Sequence, residues 1–232
     1  MLLLFDIDGT LLNTHGAGVA CMARVAKRLF GGDFGFANVN FAGHLDPLIF
    51  HEAAEEAGLA DPWAALPRFR DAYLKALAGA FDGGEFACDA CPGIHALIDA
   101  LATDPRVASG QVVLGCLTGN FTDAVPIKLR AAGLDPEVYR IRAFGDHAAC
   151  RADLVQLAIA RDAAARGHRL DPEQVIIIGD TPRDIACAHA SGAVAFCVGT
   201  GRMSAAELRQ AGADHAVADL ADPAPLLDLL PG

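Results

Sequence analysis

Residues 2–10, Leu-Leu-Leu-Phe-Asp-Ile-Asp-Gly-Thr, decide how the rest of the chain is read. An apolar run from Leu2 to Phe5 ends in two carboxylates, Asp6 and Asp8. Side chains alternate along a strand, so both carboxylates point to one side. Two acids at the end of a buried strand repel unless positive charge lies between them, and hard oxygen ligands suit Mg²⁺. Gly9 would let the chain turn away and turn its N–H toward an anion. The plain alternative is a strand closed by an Asx-type turn, for which Asp and Gly are ordinary residues.

Beyond Thr10 the pattern becomes helical for roughly 75 residues. Val19, Met22, Val25, Ala26 and Leu29 share one helical face, as do Leu45, Leu48, Ile49 and Ala53, and then Leu66, Phe69, Tyr73 and Leu77. Breakers separate them at Gly31-Gly32-Asp33, at Gly58 with Asp61-Pro62, and at Gly83-Gly84. No strand is legible in this block, which predicts an all-helical lid over residues 15–91. Pro92-Gly93 marks the return. A helix carrying Ile94, Leu97, Ile98 and Leu101 follows, then strands at 111–117, 138–144, 174–179, 193–198 and 214–217. Helices near 122–132, 151–165, 183–190 and 204–211 separate them. Fully apolar strands joined by helices predict an α/β fold, a doubly wound, mostly parallel Rossmann-like sheet made of residues 1–14 and 92–232. Functional groups are then expected in the loops at the carboxyl ends of the strands.

Two of those loops carry chemistry. Strand 111–117 runs into Thr118-Gly119-Asn120, a hydroxyl and backbone N–H groups at a helix start that suit an anion, with N-capping the simpler role for Thr118. Strand 174–179 runs into Asp180-Thr181-Pro182-Arg183-Asp184. Thr181 and Pro182 read as a helix cap and first-turn proline, and Asp184 as a first-turn acid, which leaves the Asp180 carboxylate without a capping role. A carboxylate pair, a hydroxyl and a third carboxylate at three strand ends suit a metal and a phosphate.

These segments resemble the haloacid dehalogenase superfamily, in its phosphoglycolate-phosphatase-like branch with a helical cap. The resemblance rests on Asp6-Ile-Asp8-Gly-Thr10, Leu117-Thr118-Gly119-Asn120 and Gly179-Asp180-Thr181-Pro182-Arg183-Asp184, with weaker echoes at Gly43-His-Leu-Asp46-Pro47, Pro92-Gly93 and Val198-Gly-Thr-Gly201. It implies Asp6 as nucleophile and Asp8 as acid and base. It also implies Mg²⁺ on Asp6, the Asp8 carbonyl and Asp180 with Asp184 close behind, and phosphoryl oxygens on Thr118, Gly119 and Asn120. The family usually adds a lysine before the last motif. The chain's lysines are Lys27, Lys75 and Lys128, so that task is assigned by position to Arg151. Lys128, eight residues past Asn120, is expected to lie roughly 12 Å along its helix and to point away. Arg24 and His44 are candidate contacts to the distal end of a substrate.

Among the family's chemistries, Asp8 argues against a haloacid dehalogenase. No cap lysine sits in a setting for a Schiff base, and His44 with Asp46 does not make a cationic surface for a second phosphate. The reading is a Mg²⁺-dependent phosphatase acting on a small phosphorylated metabolite. A sugar-phosphate mutase of the β-phosphoglucomutase type is the nearer alternative. A catalytically idle binding protein, expected to have lost Asp6, Asp8 or Asp180, is the more distant one.

Composition agrees. A hydrophobic share of 53% with 20% charged residues belongs to a folded globular chain. A formal net charge of -11 disfavours nucleic acid and anionic membrane as partners. The four apolar residues before Asp6 have no basic flank and read as neither signal peptide nor membrane span. Seven cysteines, several in apolar runs, suggest a reducing cytoplasm, and Cys88-Asp-Ala-Cys91 lacks the second pair a zinc site needs.

Overall fold

The structure, a computed structural model, describes residues 1–32, 34–41 and 43–232; Asp33 of the first breaker lies outside that set. Its core is a six-stranded, fully parallel sheet of β1 (Leu2–Phe5), β4 (Val113–Leu117), β5 (Ile141–Ala143), β6 (Val175–Gly179), β7 (Val194–Val198) and β8 (His215–Val217), in spatial order β5-β4-β1-β6-β7-β8. The run Leu2–Phe5 is buried throughout because β1 lies in the middle, with Leu2 opposite Val113 on one side and Val175 on the other.

Alternation sends Leu3 and Phe5 to one face and Leu2 and Leu4 to the other. The first face packs on α4 (Ile94–Thr103), α6 (Ala124–Ala131) and the C-terminal leucines 226 and 230. The second packs on α7 (Arg151–Arg166), α8 (Pro182–Ala190) and α9 (Ala205–Gln210). Two one-turn helices, α5 (Pro105–Ala108) and α10 (Ala224–Leu227), complete the core elements.

Between β1 and α4 the chain inserts α1 (Ala17–Phe30), α2 (Asp46–Glu56) and α3 (Pro62–Asp82), which bury a cluster of their own. Aromatic rings form its centre: Phe50 and Phe69 lie 4.2 Å apart and stacked, with Phe34, Phe36 and Tyr73 around them. Phe121 and Ala124, from the loop and helix after β4, belong to the same cluster, so the inserted helices and the core share apolar contacts. Val19 departs from the expected face: it is 40% exposed although it falls in register with Met22 and Val25.

The short helices α5 and α10 have no counterpart in the sequence reading, and neither does a small ribbon. Leu12–Asn13 (β2) and Asp89–Ala90 (β3) pair as a short antiparallel ribbon where the chain leaves the core and returns. His15, at φ 50°, adds an Nε2 contact of 2.8 Å to Asp89 Oδ2. Two-residue strands carry no periodicity to detect.

On the return, Gly93 takes φ +85°, and a Cβ there would lie 1.9 Å from the Leu220 carbonyl oxygen. The neighbouring Pro92 carbonyl accepts from the Leu220 N–H at 3.2 Å, so the two segments cannot separate freely. Gly93→Ala is expected to cost about 2–3 kcal/mol through backbone strain and forced displacement. Urea unfolding monitored by circular dichroism measures this, and an unchanged midpoint would contradict it.

Candidate active site

The order β4-β1-β6 brings the carboxyl ends of three adjacent strands together. It sets Thr118, Asp6 and Asp180 side by side on the floor of a cavity of about 750 Å³. Gly9, at φ +84°, carries the chain away from β1, and a Cβ there would press to 2.5 Å from Asp180 Oδ2. Asp6, Asp180 and Asp184 are all buried, and each offers a carboxylate oxygen within 4.8 Å of the others. Burial first, and then the neighbouring acids, push the Asp180 carboxyl up to about 8. Burial likewise raises Asp6, against the pull of Arg151. Acids crowded in this way favour a bound cation, and a hard oxygen donor set of this kind suits Mg²⁺.

Asp184 is the least available of the three. Its Oδ1 lies 2.5 Å from Arg151 Nη2, and its Oδ2 accepts from the Thr181 N–H at 3.0 Å and the Thr181 hydroxyl at 2.6 Å, which closes a capping box on α8. Arg151 opens α7 and is itself buried. The same Nη2 stands 3.1 Å from Asp6 Oδ2, and its Nε–H is buried without a partner among the described residues.

Lys128 is where the sequence expectation fails. Its Nζ sits 2.7 and 2.9 Å from the Asp8 carboxylate oxygens and 2.5 Å from Asn120 Oδ1. Asn120 in turn donates its amide to Asp8 Oδ2 at 2.7 Å and to Thr118 Oγ1 at 2.8 Å. The helix begins at Ala124, so Lys128 is one turn inside it, on the buried face with Val125 and Leu129. Helical side chains lean toward the N-terminus, and a four-carbon stem then reaches back over that turn. Burial works against its charge, but Asp8 and Asp46 outweigh that and its pKa is raised. A lysine in register with an apolar helix face was the signal available.

Asp46, at the start of α2, joins the inserted helices to the core. Its N–H donates to the Gly119 carbonyl at 2.7 Å and its Oδ2 accepts from the Phe121 N–H at 2.9 Å. His44 lines the cavity, with Nε2 2.8 Å from Glu52 Oε1. Arg24 does not line it: two residues past Met22 it falls on the opposite side of α1, paired with Glu85 at 2.8 Å. Gly119 lines the cavity beside Thr118 and Asn120.

A family model for haloacid dehalogenase-like hydrolases matches residues 3–189, and a second, HAD-hydrolase-like, matches 158–223. The chain belongs to the haloacid dehalogenase superfamily of hydrolases, with a helical cap inserted into its parallel core. Among solved structures it is similar to CbbY from Rhodobacter sphaeroides in complex with phosphate (19% identity, 95% of each chain covered, TM-score 0.71). It is also similar to a predicted phosphoglycolate phosphatase from Haemophilus somnus (19%, 97% of each, 0.67). A third similar structure is a β-phosphoglucomutase from Clostridium difficile (14%, 99% of this chain and 96% of the other, 0.70). At such identities the likeness is one of fold. No curated protein matches the sequence, and no helix of the described residues is long and apolar enough to cross a membrane.

The Asp46 contact has a pH consequence. Burial raises its carboxyl to about 7, against Lys128 and the Phe121 N–H and with Asp8 and Asp146 adding to the rise. An acid with a raised folded pKa holds its proton in the native chain while the unfolded chain has lost it. Stability is therefore lost as pH rises from about 4 to about 7 and then levels off. Asp46→Asn should show a smaller drop in melting temperature between pH 4.5 and 8 than the parent in calorimetry. An equal drop would refute the assignment.

Proposed function

We propose that this protein is a Mg²⁺-dependent phosphatase that hydrolyses a small phosphate monoester through a phosphorylated Asp6. The observation that carries the reading is the floor of the cavity, where Asp6 and Asp180 face one another with Arg151 on Asp6. Residues 15–91 are taken as the cap, and residues 1–14 with 92–232 as the core that holds the site.

In this reading the Asp6 carboxylate attacks phosphorus while the bond to the ester oxygen breaks. Asp8, as the carboxylic acid, gives its proton to the departing oxygen. As the carboxylate it then takes a proton from the water that cleaves the aspartyl-phosphate, releasing phosphate and restoring Asp6. The metal would be held by Asp6, Asp180 and the Asp8 carbonyl, and would supply positive charge against the repulsion between carboxylate and phosphate. Asp184, occupied by Arg151 and Thr181, orients those groups from behind. Thr118 already accepts from Asn120 and has its hydroxyl proton to donate, and the unpartnered Arg151 Nε–H offers a second donor. The N–H groups of Gly119 and Asn120 are further candidates for phosphoryl oxygens.

Phosphoglycolate is the first substrate to test. Lys128 is committed to Asp8 and Asn120, and the cap wall offers Val19, Met22, Phe41 and Ile49, which suits a small leaving group better than a second phosphate. Seven free cysteines fit a reducing, cytoplasmic setting.

Hydrolysis of phosphate monoesters should stop in excess EDTA and return with Mg²⁺. Rapid quenching with labelled substrate should place phosphate on Asp6, with none trapped in Asp6→Asn. Turnover undiminished by EDTA, or label on another residue, would sink the proposal. Conversion of a sugar 1-phosphate to its 6-phosphate without phosphate release would favour the mutase instead.

The two cations should separate in kinetics. Arg151→Ala should lower kcat/KM by about 10²–10³, the loss typical of one well-placed electrostatic donor. Arg151→Lys should recover only part, since its shorter stem must cover a distance set for a guanidinium. Lys128→Ala should slow unactivated esters more than p-nitrophenyl phosphate, whose leaving oxygen needs no proton. Equal losses on both substrate types would remove Lys128 from the proton path.

A further inference from the structure

Under the cap, one corner of the cavity is formed by Gly18 of α1, Tyr73 of α3 and Lys128 of α6, with Met22 and Ile49 beside it. Tyr73 is completely buried in the aromatic cluster, yet its hydroxyl has no hydrogen-bond partner among the described residues. Leaving a buried polar group unpaired is costly and exceptional unless something fills the place of the missing partner. Burial, followed by the charges of Asp46 and Asp8, raises the phenol well above its ordinary value, so it stays protonated and can donate.

The space in front of that hydroxyl is defined by the absence of a side chain. A methyl group on Gly18 would lie 3.5 Å from Tyr73 Oη and 3.8 Å from Lys128 Nζ. Glycine is a poor helix former, and Gly18 lies in the first turn of α1 with no left-handed conformation to require it. Removing its Cβ opens room for about one ligand atom between a phenol and an ammonium.

We infer that this corner is the leaving-group subsite, and that it takes a phosphate monoester bearing an acceptor oxygen on the carbon next to the ester carbon. The inference rests on the phosphatase reading for its orientation. Asp8 is there the acid for the leaving oxygen, and Lys128 lies one hydrogen bond beyond Asp8. The leaving group must therefore extend from Asp8 toward Lys128 and Tyr73. A neighbouring hydroxyl or carboxylate oxygen reaches the corner, whereas a plain alkyl group leaves Tyr73 unpaired.

The test is calorimetric binding to the Mg²⁺-loaded protein in an Asp6→Asn background, which prevents turnover. The ligands are inorganic phosphate, ethyl phosphate, 2-hydroxyethyl phosphate and 2-phosphoglycolate. Tyr73→Phe, which keeps the ring, should weaken binding by about tenfold for the hydroxyl-bearing or the carboxylate-bearing ester, and which one is affected identifies the oxygen. Ethyl phosphate and inorganic phosphate should shift by less than about twofold. Gly18→Ala should give the same selective loss while its helix gains stability, which keeps the test valid if Tyr73→Phe folds poorly. Oxygen-bearing esters that bind no tighter than ethyl phosphate to the parent, or variants that weaken all four ligands equally or none, would overturn the subsite. Selective binding without hydrolysis by the parent chain would overturn the phosphatase reading and leave the subsite standing.

Discussion

Charge compensation beneath the cavity is the constraint on which the rest of the structure depends. Asp6, Asp180 and Asp184 are buried within a few ångströms of each other, with Arg151 as the cation that touches two of them. Removing water from three carboxylates is costly, and one guanidinium does not neutralise them. The raised values of Asp6 and Asp180 express the deficit. A fold that existed only for stability would have no reason to hold such a cluster at its centre. A divalent cation held among them would offset that deficit, so the same repulsion that burdens the free protein favours a metal-loaded one.

The parallel sheet makes this concentration possible. Because β4, β1 and β6 are neighbours and run the same way, their carboxyl ends deliver Thr118, Asp6 and Asp180 from widely separated chain positions. The inserted helices then close the open side. Their attachment is polar as well as apolar: Asp46 grips the loop after β4 through Gly119 and Phe121, and Phe121 is buried among the cap's rings. The loop that carries the Thr118 hydroxyl is thus also where the cap meets the core, so any cap movement must be felt at Thr118.

Much of this was legible in the sequence, for identifiable reasons. Long apolar runs such as Val175–Gly179 announce buried parallel strands, and the carboxylates stand out because they interrupt the pattern at strand ends. The β2–β3 ribbon was not legible, since two-residue strands are set by tertiary pairing rather than periodicity. Lys128 lies far from the strand end only if the helix axis is counted from Asn120. The helix starts four residues later, and its side chains lean back. Arg24, a candidate contact to a substrate's distal end, is paired with Glu85 across 61 residues of chain, which only the packed structure reveals. Residues that break a pattern were found from sequence, whereas pairs made across the fold were not.

The two buried cations divide the site into halves with different requirements. Arg151 lies between Asp6 and Asp184, and its Nη2 alone contacts both carboxylates, which holds them in fixed relation to each other. Lys128, a point charge on a flexible stem, lies against Asp8, the one acid of the motif that is substantially exposed to the cavity. A guanidinium there would fill the corner that Gly18 leaves open, whereas an ammonium fixes Asp8 through two short contacts and still leaves room beside Tyr73. Arginine at the buried end and lysine at the cavity end therefore meet different demands. The first end needs rigid geometry, and the second needs charge without bulk.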